Sequence, residues 1–135
     1  MAQRKEPAPA VRLAAILAWE NGGPKHNKPY QAALAAEELV RLAKRAASIA
    51  VRRCNGIERP EYTKDGRFIG RCATWTEADE AAADRAGNRI RKRADEILAP
   101  FGGKVLTVSG DPRGCVMRLE LSSGATNGMG EGWGL

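Results

Sequence analysis

Histidine is nearly absent from this chain, and that absence is the first constraint on its chemistry. His26 is the only one in 135 residues. It sits in "GGPKHNK" without an orienting carboxylate close by in sequence, so a histidine-centred triad or general base has one poor candidate. Cysteine is scarce too: Cys54, Cys72 and Cys115 are three in number, with no CxxC pair. Together with His26 they could supply four zinc ligands, but none of the short two-ligand spacings of zinc sites is present. An odd cysteine count without a pairing pattern fits reduced thiols. Aromatics are few, with three Trp, two Tyr and two Phe, while alanine is abundant. A core of that kind suits closely packed helices better than a β-sandwich, which wants branched and aromatic residues. No apolar run approaches the ~20 residues of a membrane span. The start, "MAQRKEPAPA", has no apolar signal segment, so a cytoplasmic protein without a membrane partner is expected. Neither a P-loop nor a GxGxxG occurs. These gaps point away from an enzyme and from any metal or cofactor.

What the chain does have is positive charge. The formal net charge is +6, from 22 Lys and Arg against 16 Asp and Glu. All of the excess lies in residues 1–60, and the remainder is balanced. Localised charge attracts polyanions or acidic protein faces better than the same charge spread evenly; basic residues can also serve only to keep an alanine-rich protein soluble.

The length predicts one domain. Residues 1–9, with Pro7 and Pro9, read as a disordered lead, and 10–135 as a single α+β domain. "APAVRLAAILAWEN" predicts a short helix stopped by "NGGP". A long helix should run from about Pro29, tolerated in a first turn, to Arg53. Leu39, Leu42, Ala43, Ala46, Ile49 and Ala50 fall on one arc of it. Arg41, Lys44, Arg45, Ser48 and Arg52 fall on the opposite arc, a basic ridge about three turns long. Asn55 and Gly56 supply the left-handed-tolerant stop. Segment 57–75 reads as a long connector, functional or mobile by its length, carrying a small Asp-Gly hairpin in "EYTKDGRFI" with Tyr62 and Phe68 beside the turn. A second long helix follows, capped either by Thr74 with Glu77 or by Thr76 with Asp79. Acids crowd its first turns, as the helix dipole prefers. It ends at Pro100 and the glycines 102 and 103, and should lie antiparallel to the first.

"KVLTVS" and "CVMRLEL" predict a C-terminal β-hairpin, with Cys115, Met117, Leu119 and Leu121 on one face. Its tip, "GDPRG", is largely dictated by backbone geometry. Asp111 and Pro112 suit the first two positions of a type I turn, and Gly114 the bulge that closes it. Arg113 is left over. Its planar fork of donors suits a phosphate or carboxylate, or it pairs locally with Asp111. Residues 124–135 form a glycine-rich tail, ordered only if Trp133 and Leu135 dock.

"CNG" after a helix, "ILAPFG", "GDPRG" and the closing "GWGL" resemble, in order and spacing, a set of small proteins encoded by bacteriophages and prophages. The likeness covers roughly residues 50–135. It implies phage origin and the host cytoplasm more than any activity.

The expected function is non-catalytic. A phage accessory protein would bind and sequester an anionic partner, a phosphorylated nucleotide or nucleic acid, with countering host defence as one use. The candidate contacts are Arg113, Asp111, Arg41, Arg45, Arg52, Asn55 and Trp133. Trp75, Tyr62 and Phe68 could stack a base or belong to the core. The alternative is an inhibitor that docks on a host defence or regulatory protein. A homo-oligomer suits either.

Overall fold

The alanines that thin the predicted core do so along helix faces, and the helices use them to approach closely. In a computed structural model, residues 9–20, 29–111, 114–121 and 126–129 are described. Helix α1 spans Pro9–Glu20, α2 spans Pro29–Asn55 and α3 spans Glu77–Leu98. Strands β1 (Ile57–Tyr62) and β2 (Phe68–Thr74) lie between α2 and α3. Strands β3 (Lys104–Asp111), β4 (Gly114–Glu120) and β5 (Thr126–Met129) follow α3. This is the α+β arrangement the sequence predicts: a short first helix, two long antiparallel helices and a C-terminal antiparallel sheet.

The predicted stripe on α2 is the centre of the core. Leu39, Leu42, Ala43, Ala46 and Ala50 are buried, joined by Ala32, Ala35, Ala36 and Val40. Helix α1 lays Leu13 and Leu17, both fully buried, against it; each such side chain contributes ~2 kcal/mol of transfer free energy. Helix α3 presents Ile90, Ala94, Ile97 and Leu98 to the same core. Its direction is opposite to that of α2, since Arg53 pairs with Glu80 at one end and Glu38 with Arg93 at the other.

The C-terminal sheet has the order β3-β4-β5, all antiparallel. Met117, Leu119 and Leu121 are buried, and Arg118 points to the exposed side, as strict alternation requires. With Val105 they form the sheet's contribution to the helical core. The end of α3 is tied to the sheet by Asp95, whose Oδ1 accepts from the Val105 N–H at 2.8 Å. Part of the glycine-rich tail is strand: Asn127 pairs with Leu119 and Met129 with Met117.

The segment expected to be a connector is a second, two-stranded sheet. β1 and β2 pair from Ile57↔Thr74 to Tyr62↔Phe68, with a register irregularity between Glu61 and Tyr62. Nearly all its residues are exposed, so alternation gives no sequence signal. The small Asp-Gly hairpin expected here, with Tyr62 and Phe68 beside its turn, is formed, and its strands extend well beyond it to Ile57 and Thr74. Such a hairpin is marginal on its own and needs packing against something else. One anchor is Gly56, which leaves α2 with φ of 75°. Its amide donates to the Arg52 carbonyl at 2.7 Å. Any Cβ at Gly56 would stand 3.1 Å from the Thr74 nitrogen, so β2 lies directly against this corner.

Candidate anion-binding cleft

The site begins with the way α3 starts. Thr76 is its N-cap: the Thr76 Oγ1 accepts from the Asp79 N–H at 3.2 Å, and Asp79 Oδ2 accepts from the Thr76 N–H at 2.8 Å. Of the two capping arrangements the sequence allows, this is the one formed. Asp79 also receives a second element. Arg59, on β1, donates through Nη1 to Asp79 Oδ2 at 2.8 Å and through Nη2 to Oδ1 at 2.6 Å, and Nη1 reaches Thr74 Oγ1 at 2.9 Å. The Arg59 guanidinium, with help from the Thr76 amide, holds the Asp79 carboxyl far below the ordinary carboxylate range.

Glu80, the next acid, is equally occupied. It accepts from the Trp75 Nε1–H at 2.7 Å and from Arg53 at 3.0 and 2.7 Å. Arg53 lies a further 3.8 Å from Asp84. Asp79, Glu80 and Asp84, in the first turns of α3, are therefore engaged by arginines from α2 and β1. They serve the helix dipole, as the sequence suggested, and also pin the hairpin and the indole.

These anchors leave a cleft of about 330 Å³ between the second half of α2 and the first half of α3. Ala82, Ala83 and Ala86 form one side, and their small side chains are why space remains. Ile57 and Trp75 close one end, and Arg45, Ile49 and Arg52 form the α2 wall. Arg45 and Arg52 are exposed and make no ion pair with any described residue. They stand two turns apart, about 10 Å along the helix axis. Arg45 also lines an adjoining hollow of about 210 Å³, shared with Arg89 and Arg93. Arg89 likewise has no ion pair among the described residues, whereas Arg93 binds Glu38 at 2.7 Å and approaches Glu96 at 3.4 Å. The result is an alanine-floored groove with an aromatic end and a surplus of guanidinium groups.

Of the predicted contacts, the structure brings Arg45 and Arg52 together in this cleft. Arg41 is exposed on the same helix; its charge, after that of Arg93, helps hold the Glu38 carboxyl below its usual range. Asn55 is exposed at the last position of α2 and does not line the cleft. The backbone of Asp111 pairs with Gly114 at the β3–β4 end. Its side chain, Arg113 and Trp133 lie outside the described residues. Sequence reasoning did not find Ile57, Asp79 or Glu80. Trp75 was considered for stacking but not placed beside Arg45 and Arg52. Tyr62 and Phe68 are not core residues: they meet edge to face at 5.9 Å and are 57% and 56% exposed, beside Ile69 at 57%.

No family model, characterised protein or solved structure matches the chain. No helix among the described residues is long and apolar enough to cross a membrane.

Proposed function

We propose that this is a non-catalytic, phage-encoded accessory protein that binds and sequesters an anionic partner, a phosphorylated nucleotide or nucleic acid, in the host cytoplasm and against host defence. One observation carries the reading. The acids nearest the cleft are engaged by Arg53 and Arg59, while Arg45 and Arg52 on its wall keep their full charge exposed. Exposed guanidinium groups attract anions over a Debye length, and each phosphate they contact adds to the salt dependence of binding. Sequestration needs stoichiometric binding only, which suits a chain with a single histidine.

The test is fluorescence polarisation with labelled single-stranded and duplex oligonucleotides, and with labelled nucleotides, across a sodium chloride series. Binding that weakens steeply with salt, and is weaker and less salt-dependent in Arg45→Ala/Arg52→Ala, supports the proposal. Absence of binding at low salt, or binding indifferent to salt, overturns it. Arg113→Ala, measured alongside, reads whether the β3–β4 turn belongs to the same surface.

A protein-docking inhibitor is favoured by a different feature, the exposed Tyr62, Phe68 and Ile69 at the end of the β1–β2 hairpin. Aromatic residues are enriched at protein interfaces. Capture of one host protein, lost in Tyr62→Ala/Phe68→Ala and kept in Arg45→Ala/Arg52→Ala, would select that reading. Light scattering on the same samples reads the homo-oligomer.

A further inference from the structure

We infer that the Trp75 cleft seats a single nucleotide unit, its base against the indole and its phosphate toward Arg45, so that the ligand is a nucleoside phosphate or an unpaired nucleotide of a strand. This rests on the anionic-partner reading and specifies its chemistry.

Three observations converge on that ligand. The first is size. A cleft of about 330 Å³ is at the lower end for small-molecule sites, enough for one compact ligand and too small for a duplex. The second is the nature of the walls. The only hydrogen-bond donor of Trp75 is already given to Glu80 at 2.7 Å, so the indole offers the cleft ring surface alone. Its orientation is fixed in advance, because Glu80 is itself held by Arg53 Nε and Nη2. The facing alanines add a thin apolar wall. A flat ring between such walls gains stacking without the ordering cost of a mobile side chain.

The third is charge along the groove. Antiparallel packing sets Arg52, next to the Arg53 that holds Glu80, at the Trp75 end, and Arg45 two turns farther on. A nucleotide laid along α2 with its base on Trp75 directs its phosphate to Arg45, with Arg52 reaching the sugar–phosphate edge. The Asp79 carboxylate also lines the cleft but does not oppose this, because Arg59 and the Thr76 amide already satisfy it. For the same reason the start of α3 takes no part: its cap is filled from within the chain.

The experiment uses the full chain with Trp19→Phe and Trp133→Phe, leaving Trp75 as the only indole, after polarisation has shown that this form and the unsubstituted chain bind the labelled strand alike. It is titrated with a nucleoside monophosphate, the matching nucleoside, inorganic phosphate, a short single strand and its duplex. Saturable quenching of Trp75 by the monophosphate and the single strand is expected, with the nucleoside and inorganic phosphate each far weaker. Read by polarisation of labelled ligand, since no indole signal then remains, Trp75→Leu should lower affinity about 5- to 150-fold, the loss of one stacked base. Trp75→Phe, which keeps a ring but not the bond to Glu80, should retain most of it and shows that a loss in Trp75→Leu is not a folding defect. Equal binding of inorganic phosphate, or of duplex and single strand, overturns the inference. So does salt-dependent oligonucleotide binding that leaves Trp75 emission and the affinity of Trp75→Leu unchanged, in which case the anionic-partner reading survives. If no anion binds at low salt, both fall. Preference for the free monophosphate or for the strand identifies which source the cleft serves.

Discussion

Replacing Gly56 with alanine tests whether the corner that delivers the hairpin to the cleft is built as described. Two costs combine there. The backbone has φ of 75°, a left-handed conformation that costs an L-residue about 1–2 kcal/mol. The new Cβ would also stand 3.1 Å from the Thr74 nitrogen and 3.2 Å from both the Ala73 carbonyl carbon and the Thr74 oxygen. All three neighbours are backbone and cannot rotate away, so strand β2 must shift, an overpacking cost of about 1–3 kcal/mol. Gly66 separates the two contributions. It has φ of 82° in the hairpin turn, but an added Cβ meets nothing within 4 Å. Gly66→Ala therefore carries the conformational cost alone. In urea denaturation followed by circular dichroism, Gly56→Ala should lose about 1–3 kcal/mol more than Gly66→Ala. At this chain length that difference is roughly 3–15 °C in melting temperature. Gly56→Ala should also change the Trp75 emission of the folded protein, because Thr74 precedes that residue directly. Equal losses in the two variants would refute the close approach of β2 to the end of α2, and with it the placement of Ile57 and Trp75 at the cleft.

Three other outcomes follow from the same structure. Gly87 lies within α3 and a Cβ there meets nothing within 4 Å, so Gly87→Ala should stabilise by about 0.5–1 kcal/mol in the same urea titration. For single-stranded ligands, Arg45→Ala/Arg52→Ala should reduce the slope of log affinity against log salt by about 1.4, with melting unchanged because both side chains are exposed and unpaired among the described residues. Acid should weaken the fold through Asp79 and Glu38. Their carboxyls are held below their ordinary values of 3.8 and 4.5, chiefly by Arg59 and Arg93 respectively. The unfolded chain therefore takes up these protons first as pH falls, and stability present above those values is progressively lost below them. Asp79→Asn should be less stable at neutral pH and show a flatter decline in acid, read by thermal melts from neutral pH to pH 3.

Much of the fold was legible because helices and one buried sheet face write periodic patterns. The 3.6-residue period separated Leu39, Leu42, Ala43 and Ala46 from Arg41, Arg45 and Arg52, and the structure buries the first set and exposes the second. Alternation did the same for Met117, Leu119 and Leu121. The hairpin of β1 and β2 was legible at its Asp-Gly turn but not along its length, because most of its residues are exposed and Pro60 lies within a strand. Nothing periodic marks such a segment. The cleft was half legible. Its cations belong to one helix and one period, so they were found. Its aromatic end depends on Arg59 reaching Asp79 across 20 positions and Arg53 reaching Glu80 across 27. Pairings at that separation leave no local trace, and Asp79 and Glu80 already had an adequate explanation in the helix dipole.

Asp79 closes the first turn of α3 and at the same time clasps the β1–β2 ribbon through Arg59. Freeing the ribbon therefore strips a terminal lock from the helix, and unwinding the helix drops the ribbon, so neither event is separately accessible. The two should breathe as one cooperative unit, with the ladder-bonded amides of β1 and those of Asp79 and Glu80, which donate to Thr76, exchanging at a common rate. A small chain thereby obtains a stiff mouth for its groove from one shared carboxylate, without enlarging its core.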